Sequence, residues 1–331
     1  IDHTDGGCPS LLLEPASTNL ITYSEDFSAA YWSKSGATVA STEVISPMNN
    51  LTTVKLEATQ TNQPRIERVM PVPSTDTIYT WSVYVKKGST DFVALAKFSG
   101  SNNAVFNLAN GTLVYETGTL STSIEAVSDG WYRVSMTVLV YSTDTYNALK
   151  VTVTDGSSYS SGVIGEYIYL WGAQLEQNSY ETSYIPTSGT AVTRVADACG
   201  GAGDASTFNS AEGVLFVDGN LLSNDGTYKA ISISDGSTSN TVRIYTNPIE
   251  NQLSIRVTVL GAHVFNVVYT LPDLTAINKV ALKYKVNDFA FWVNGSEVKS
   301  VSVGNTFSSG TLIKSSFNSG SGTDPFYGKT K

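Results

Sequence analysis

Histidine is nearly absent from this chain: there are two in 331 residues, His3 and His263. A Ser-His-Asp triad would have to rest on His263, in "GAHVFNVV", a strand-like run with apolar neighbours. No G-x-S-x-G elbow, G-x-x-x-x-G-K-[ST] phosphate loop or H-E-x-x-H pair occurs. Cysteine is just as scarce. Cys8 and Cys199 are too few for a structural zinc site. They are either two free thiols or one disulfide closing a very long loop. Charged residues make up 15% of the chain, low for a cytosolic enzyme. The net charge is -9 and no Lys/Arg cluster exceeds Lys86-Lys87, which argues against a nucleic-acid partner. Long apolar runs are missing too. "VSMTVLVY" at 134–141 is strand-sized, so membrane insertion is not expected. No signal peptide is recognisable, and the first residue is Ile, which suggests a fragment or a processed chain.

What fills the gap is Ser, Thr, Asn and Gly, a composition suited to turn-rich extracellular or virion β-proteins. Asp-Gly or Asn-Gly pairs stand at 5–6, 110–111, 129–130, 155–156, 218–219, 225–226, 235–236 and 294–295, where tight hairpins are expected. Between them, residues alternate with period two. Trp81, Val83 and Val85 share one face of "YTWSVYVK", and Ser82, Tyr84 and Lys86 share the other. No segment holds a convincing helical period. The chain therefore reads as all-β, with two tandem jelly-roll sandwiches. The Gly/Ala/Ser-rich "ACGGAGDASTFNS" marks a boundary. The expected division is an N-terminal segment 1–10, a sandwich over 11–195, a linker 196–205 and a second sandwich over 206–331. "DPFYGKTK" reads as the start of a strand, so the second sandwich is expected to be cut short at Lys331.

Chemistry is sparse. Acids are available at Glu67, Glu116, Glu125, Glu166, Glu176 and Asp288, but no E-x-D-x-x-E strand of a sandwich glucanase is present. Asp26 and the loop at 218–225 are candidates for a structural calcium; the alternative is that these acids cap turns. Trp81 and Trp171 read as core, and Trp131 as cover for one end of a sandwich. Trp32 lies in a less regular segment and is a candidate exposed ring. In "FAFWVNG", Phe289, Phe291 and Val293 share a face, which leaves Trp292 on the other, beside Asn294 at the turn. Tyr84 and Lys86 also point away from apolar partners. Arg65 and Glu67 alternate with Ile66 and Arg68; on a sheet face they could bond sugar hydroxyls, or form a solvated ion pair. Asn50, Asn110 and Asn294 begin N-x-[ST] sequons, relevant only in a glycosylating host.

Five phrases, read in order, carry a resemblance. "CPSLLLEPASTNLITYSEDFSAAYWSKSGATV", "YTWSVYVKKG", "DGWYRVSMTV", "YIYLWGAQLE" and "TSYIPTSGTAVTR" resemble a module of phage tail and tail-fibre proteins, over about 8–198. That module is similar to jelly-roll carbohydrate-binding modules. Their last strand often carries a calcium-holding acid; here Trp171 stands near that place. "EGVLFVDGNL", "NKVALKYKVNDFAFWVNGSEV" and "DPFYGKTK" resemble laminin-G-like, concanavalin-like sandwiches. The resemblance implies a non-catalytic virion component at the tail surface, without a cofactor unless calcium is bound. It would bind bacterial surface polysaccharide as a homo-oligomer, beside other virion proteins, with avidity strengthening weak contacts. The alternatives are a purely structural spacer and a glycan depolymerase.

Overall fold

The computed structural model describes residues 9–97 and 102–331. All regular elements among them are β-strands, and the sheets are antiparallel. They form two units, each a sandwich of two six-stranded sheets.

The unit Ala16–Val195 is built first from alternation. One sheet runs Ser121–Ala126, Trp131–Val140, Thr77–Lys87, Tyr167–Glu176, Val54–Ala58 and Ala37–Ser41. The other runs Thr112–Thr117, Asn103–Asn107, Phe92–Lys97, Ala148–Thr154, Arg65–Val69 and Ser33–Ser35. The residues expected to face inward do so: Trp81, Val83, Val85, Val134, Met136 and Val138 are buried against Ile66, Leu95, Phe106 and Val151. Each buried Val or Leu contributes on the order of 1.5–3 kcal/mol, so this layer is the main source of the unit's stability.

The second unit begins earlier in the chain than the boundary read from "ACGGAGDASTFNS". Its described residues are 9–15 together with Ala196–Lys331. Strand Leu11–Leu13 pairs with Gly328–Thr330, which pairs in turn with Gly219–Leu221. Leu13 lies in one core with Leu215, Leu282 and Phe291. "LLLEP" is therefore a strand of the later sandwich, and the expected start of the first sandwich moves from 11 to 16. The strand read from "DPFYGKTK" is present as Gly328–Thr330. Asp218-Gly219 is also no turn: it lies inside strand Glu212–Leu221. A Cβ at Gly219 would collide with the Lys329 carbonyl, so this glycine admits the closing strand.

The chain thus leaves the later sandwich after Pro15, completes Ala16–Val195, and returns at Ala196. That path requires the ends of the inserted unit to lie together. They do: Ser17–Asn19 pairs with Val192–Arg194, Ser17 opposite Arg194. Just outside, the Glu14 N–H donates to Asp197 Oδ2 at 2.9 Å, and the Asp197 N–H to the Glu14 carbonyl at 2.9 Å.

If the insertion is autonomous, a fragment of residues 16–195 unfolds cooperatively and keeps the near-ultraviolet tryptophan dichroism of the full chain. A fragment of residues 196–331 melts below the same fragment with residues 9–15 restored through a linker. Equal melting temperatures would remove Leu11–Leu13 from that unit's stability.

Candidate functional site

Strict alternation along Tyr167–Glu176 would turn Ile168, Leu170, Gly172, Gln174 and Glu176 to one face. A β-bulge breaks it between Trp171 and Gln174. Gly172 sits there at φ +61°, and a Cβ on it would come within 2.9 Å of the Tyr84 ring. Ile168 and Leu170 face the core before the bulge, and Ala173 and Leu175 after it. Gln174 and Glu176 are thereby turned away from the apolar layer and meet the segment 177–189, which crosses the sheet as a strap.

Glu176 is buried and fully engaged. Its Oε1 accepts from Ser17 Oγ at 2.6 Å and Thr182 Oγ1 at 2.5 Å. Its Oε2 accepts from Gln174 Nε2 at 2.7 Å and the Thr182 N–H at 3.0 Å. Gln174 Oε1 accepts from the Ile185 N–H at 2.7 Å. Buried Asn19 uses both ends of its amide. Nδ2 donates to the carbonyls of Ala173 and Ile185 at 3.1 and 2.8 Å, and Oδ1 accepts from the N–H groups of Ile21 and Leu175 at 3.0 and 3.1 Å. Buried polar groups are costly without partners, so this set fixes one path for the strap.

The strap forms one side of a cleft. The Ser24 N–H donates to Thr187 Oγ1 at 3.1 Å, and the Thr187 N–H to Ser24 Oγ at 2.8 Å. Beside them lies a cleft of about 570 Å³, lined by Tyr23, Glu25, Asp26, Thr52, Thr53 and Ser188 among others. Glu25 Oε2 accepts from Thr52 Oγ1 at 2.7 Å, and Thr52 Oγ1 accepts from Trp171 Nε1 at 2.9 Å. The Tyr184 hydroxyl lies 3.2 Å from Glu25 Oε1, and burial holds this phenol protonated. Thr53 is buried on the cleft lining, and its Oγ1 has no hydrogen-bond partner among the described residues. Leu51, 65% exposed, adds apolar surface. Hydroxyls, one carboxylate pair and an aromatic ring alternate around a volume suited to a small polar ligand.

Asp26 lines this cleft, but its Oδ1 accepts from the Ser28 N–H at 3.1 Å, Ser28 Oγ at 2.5 Å and the Ala29 N–H at 3.1 Å. The Ser28 hydroxyl is the main reason its carboxyl is held below the usual range. A general acid needs the opposite shift. The carbonyls of Ser28 and Ala29 each accept from Lys34 Nζ at 3.1 Å, which sets a cation of the protein itself beside Asp26. No three His, Cys, Asp or Glu side chains converge among the described residues. Asp26 is a turn cap, and its surroundings do not fit calcium.

The other expected residues are dispersed. Trp32 is 2% exposed, packs against Phe27 at 5.1 Å between ring centroids, and donates its indole N–H to the Tyr23 carbonyl at 3.0 Å. It is core and offers no ring to solvent. Tyr84 packs edge-on to Trp171 at 5.1 Å and to Tyr184 at 5.8 Å, with the Arg133 guanidinium 5.3 Å from its ring; it supports the strap. Lys86 is half-buried beside Trp131 and Tyr169 in register. Trp292 is half-buried on the outer face of its sheet, in a row with Ala281 and Phe216, the last 56% exposed. Asn294 Oδ1 accepts from the Lys279 N–H at 2.8 Å; its side chain holds the hairpin turn. Cys8 lies outside the described residues, so the disulfide expectation does too. Cys199 is half-buried beside the second core.

Arg65 and Glu67 form an ion pair on the outer sheet face. Arg65 Nε donates to Glu67 Oε2 at 2.8 Å, with side chains 16% and 12% exposed. Lys150 stands opposite Glu67 in register and is buried. Burial, reinforced by the Arg65 charge against the weaker help of Glu67, lowers its amine to about 8.

No family model matches the chain, and no curated protein matches it. Among solved structures, sheep galectin-11 in complex with glycerol is similar over 33% of this chain and 82% of its own, at 9% identity and a TM-score of 0.25. Domains LG4-5 of the mouse laminin alpha1 chain are similar over 82% of this chain and 85% of their own, at 11% identity and a TM-score of 0.28. Likenesses this weak transfer neither ligand nor activity.

Lys150 gives a pH test. Below about 8 it is protonated in both folded and unfolded chains, and its burial cost is present in full. Between about 8 and the ordinary lysine value of 10.5 the unfolded chain holds more protons, so stability rises with pH. Lys150→Met is expected to stabilise the unit at pH 7 by on the order of a few kcal/mol, and the advantage should shrink across that window. A difference from wild type that is flat from pH 7 to 10.5 in urea melts contradicts the lowered amine.

Proposed function

We propose that this protein is a non-catalytic, glycan-binding component of a phage tail or tail fibre, displayed on the virion surface and engaging bacterial surface polysaccharide. The observation that carries the reading is the cleft beside the strap. The Glu25 carboxylate and the Thr52 and Ser188 side chains lie on one lining, within reach of a ligand rich in hydroxyls. Sugar hydroxyls donate to Glu25 and Asp26 and accept from the Thr and Ser hydroxyls, while a C–H face rests on Tyr23 or Leu51. Each contact is weak, and assembly into an oligomer beside other virion proteins supplies avidity. The reading calls on no cofactor. The five ordered phrases of the tail-protein module support the virion placement.

One observation favours the alternative of a structural spacer. Trp32, Trp81, Trp131 and Trp171 are all buried, so the unit Ala16–Val195 offers no tryptophan for stacking. A glycan array probed with the full chain separates the readings. The proposal expects a specific hit that persists in EDTA and weakens by about tenfold or more in Glu25→Ala, with the melting temperature retained. Loss of the hit in EDTA would return a metal to the account. Hits that Glu25→Ala leaves unchanged would move the site elsewhere, with Trp292→Ala the next variant to read. A blank array supports the spacer.

A further inference from the structure

The second sandwich carries a different polar face. Its sheet runs Gly200–Ala202, Lys314–Ser316, Ala230–Ser234, Thr241–Thr246, Gln252–Val259 and Ala262–Thr270. Ile231, Ile233, Val242, Ile244, Ile255 and Val257 fill its core side. The alternate residues make up the other side and are mostly Ser, Thr, Tyr and Arg; Ser232, Thr241 and Tyr245 are buried there, while Arg243 and Arg256 are half-buried.

Arg243 and Arg256 stand directly opposite each other on neighbouring strands. Like charges in that position repel and destabilise a sheet. The pair is arranged over one ring: the guanidinium carbons lie 4.5 and 5.2 Å from the Tyr245 centroid. Arg256 Nε donates to Asn266 Oδ1 at 3.1 Å, which orients its fork. Neither guanidinium makes an ion pair among the described residues; Asp324 is the carboxylate whose charge reaches Arg243. Three buried polar atoms without a hydrogen-bond partner among the described residues lie on this same face: Arg243 Nε, Ser232 Oγ and Thr241 Oγ1. At the rim, the exposed His263 lies with Nδ1 3.2 Å from Thr258 Oγ1. Its imidazole is held below its ordinary value, by burial first and by Arg256 and Arg243 next, so both cations act on it. Tyr228, 48% exposed, stands 6.3 Å from Tyr245 and adds an open aromatic face.

We infer that this face is a second carbohydrate site, selective for acidic sugars, in which Arg243 and Arg256 together hold the oxyanion and Tyr228 receives the sugar ring. An oxyanion relieves the repulsion between the two forks and accepts in-plane N–H bonds from both. A polynucleotide is disfavoured by the net charge of -9. The site is separate from the cleft lined by Glu25, and either can fail without the other.

The test is titration calorimetry on the full chain with oligogalacturonate, a sulfated oligosaccharide, a neutral oligosaccharide of equal length, inorganic phosphate, and a short single-stranded DNA. At least one acidic oligosaccharide is expected to bind about tenfold or more tighter than the neutral one, and to weaken with salt. Which acid binds separates a carboxylate from a sulfate as the recognised group. Arg243→Ala with Arg256→Ala should abolish that preference and leave binding at the Glu25 cleft unchanged. Arg243→Lys with Arg256→Lys keeps the charge but removes the forks, and should lose most of it. Titration of His263 by NMR should show its pKa rising when the acidic oligosaccharide binds, because the oxyanion offsets the arginine field. No acidic preference, full binding by the lysine pair, or equal binding of phosphate or DNA would each overturn the inference.

Discussion

The buried carboxylate of Glu176 sets the path of much of the first sandwich. It accepts four hydrogen bonds, from Ser17, Gln174 and twice from Thr182, and so joins the two ends of the unit to its central sheet. A buried polar group is tolerable only where partners surround it, and removing them would leave it unsatisfied at a cost of about 1–3 kcal/mol. The partners can surround it only because the Gly172 bulge turns residues 174 and 176 off the core side. One glycine thus decides whether an acid points into the apolar layer or into a polar network.

Two consequences run from that network. Pinning Ser17 and Thr182 beside each other brings the entry and exit strands together, and that closeness lets the unit sit inside the path of the other sandwich. The same strap then carries Tyr184, Thr187 and Ser188 to Ser24 and Glu25, where the polar cleft forms. Structural closure and the candidate site are therefore parts of one hydrogen-bonded arrangement. The ordered phrases "TNLITYSEDF", "YIYLWGAQLE" and "TSYIPTSGT" are its three strands of text.

Much of the fold was legible in period-two alternation. Trp81, Val83 and Val85 face inward as their spacing requires, and Trp171 is buried as expected. The sequence was less informative where a local rule is broken. Alternation alone would place Gln174 and Glu176 with Ile168, and nothing in a glycine announces a bulge over a plain strand position. The pairing of Leu11–Leu13 with Gly328–Thr330 joins residues more than 300 apart, beyond any local pattern. Trp32 looked open because its segment is irregular, yet its ring fills the core beside Phe27. Sites fared worst, because exposure depends on what packs over a residue. Arg65 and Glu67 do share a face, but the cleft residues Glu25 and Thr52 and the pair Arg243 and Arg256 become neighbours only through folding.

The most direct measurement is amide hydrogen exchange in Glu176→Ala, followed at Thr182, Ile185 and Ile21 and compared with Val83 and Val134 in the central sheet. If Glu176 holds the strap, the first three amides lose protection by about tenfold or more while the sheet amides keep theirs. Unchanged protection at Thr182 and Ile185 would mean that the strap is held by packing alone, and the account of closure and cleft as one arrangement would be wrong.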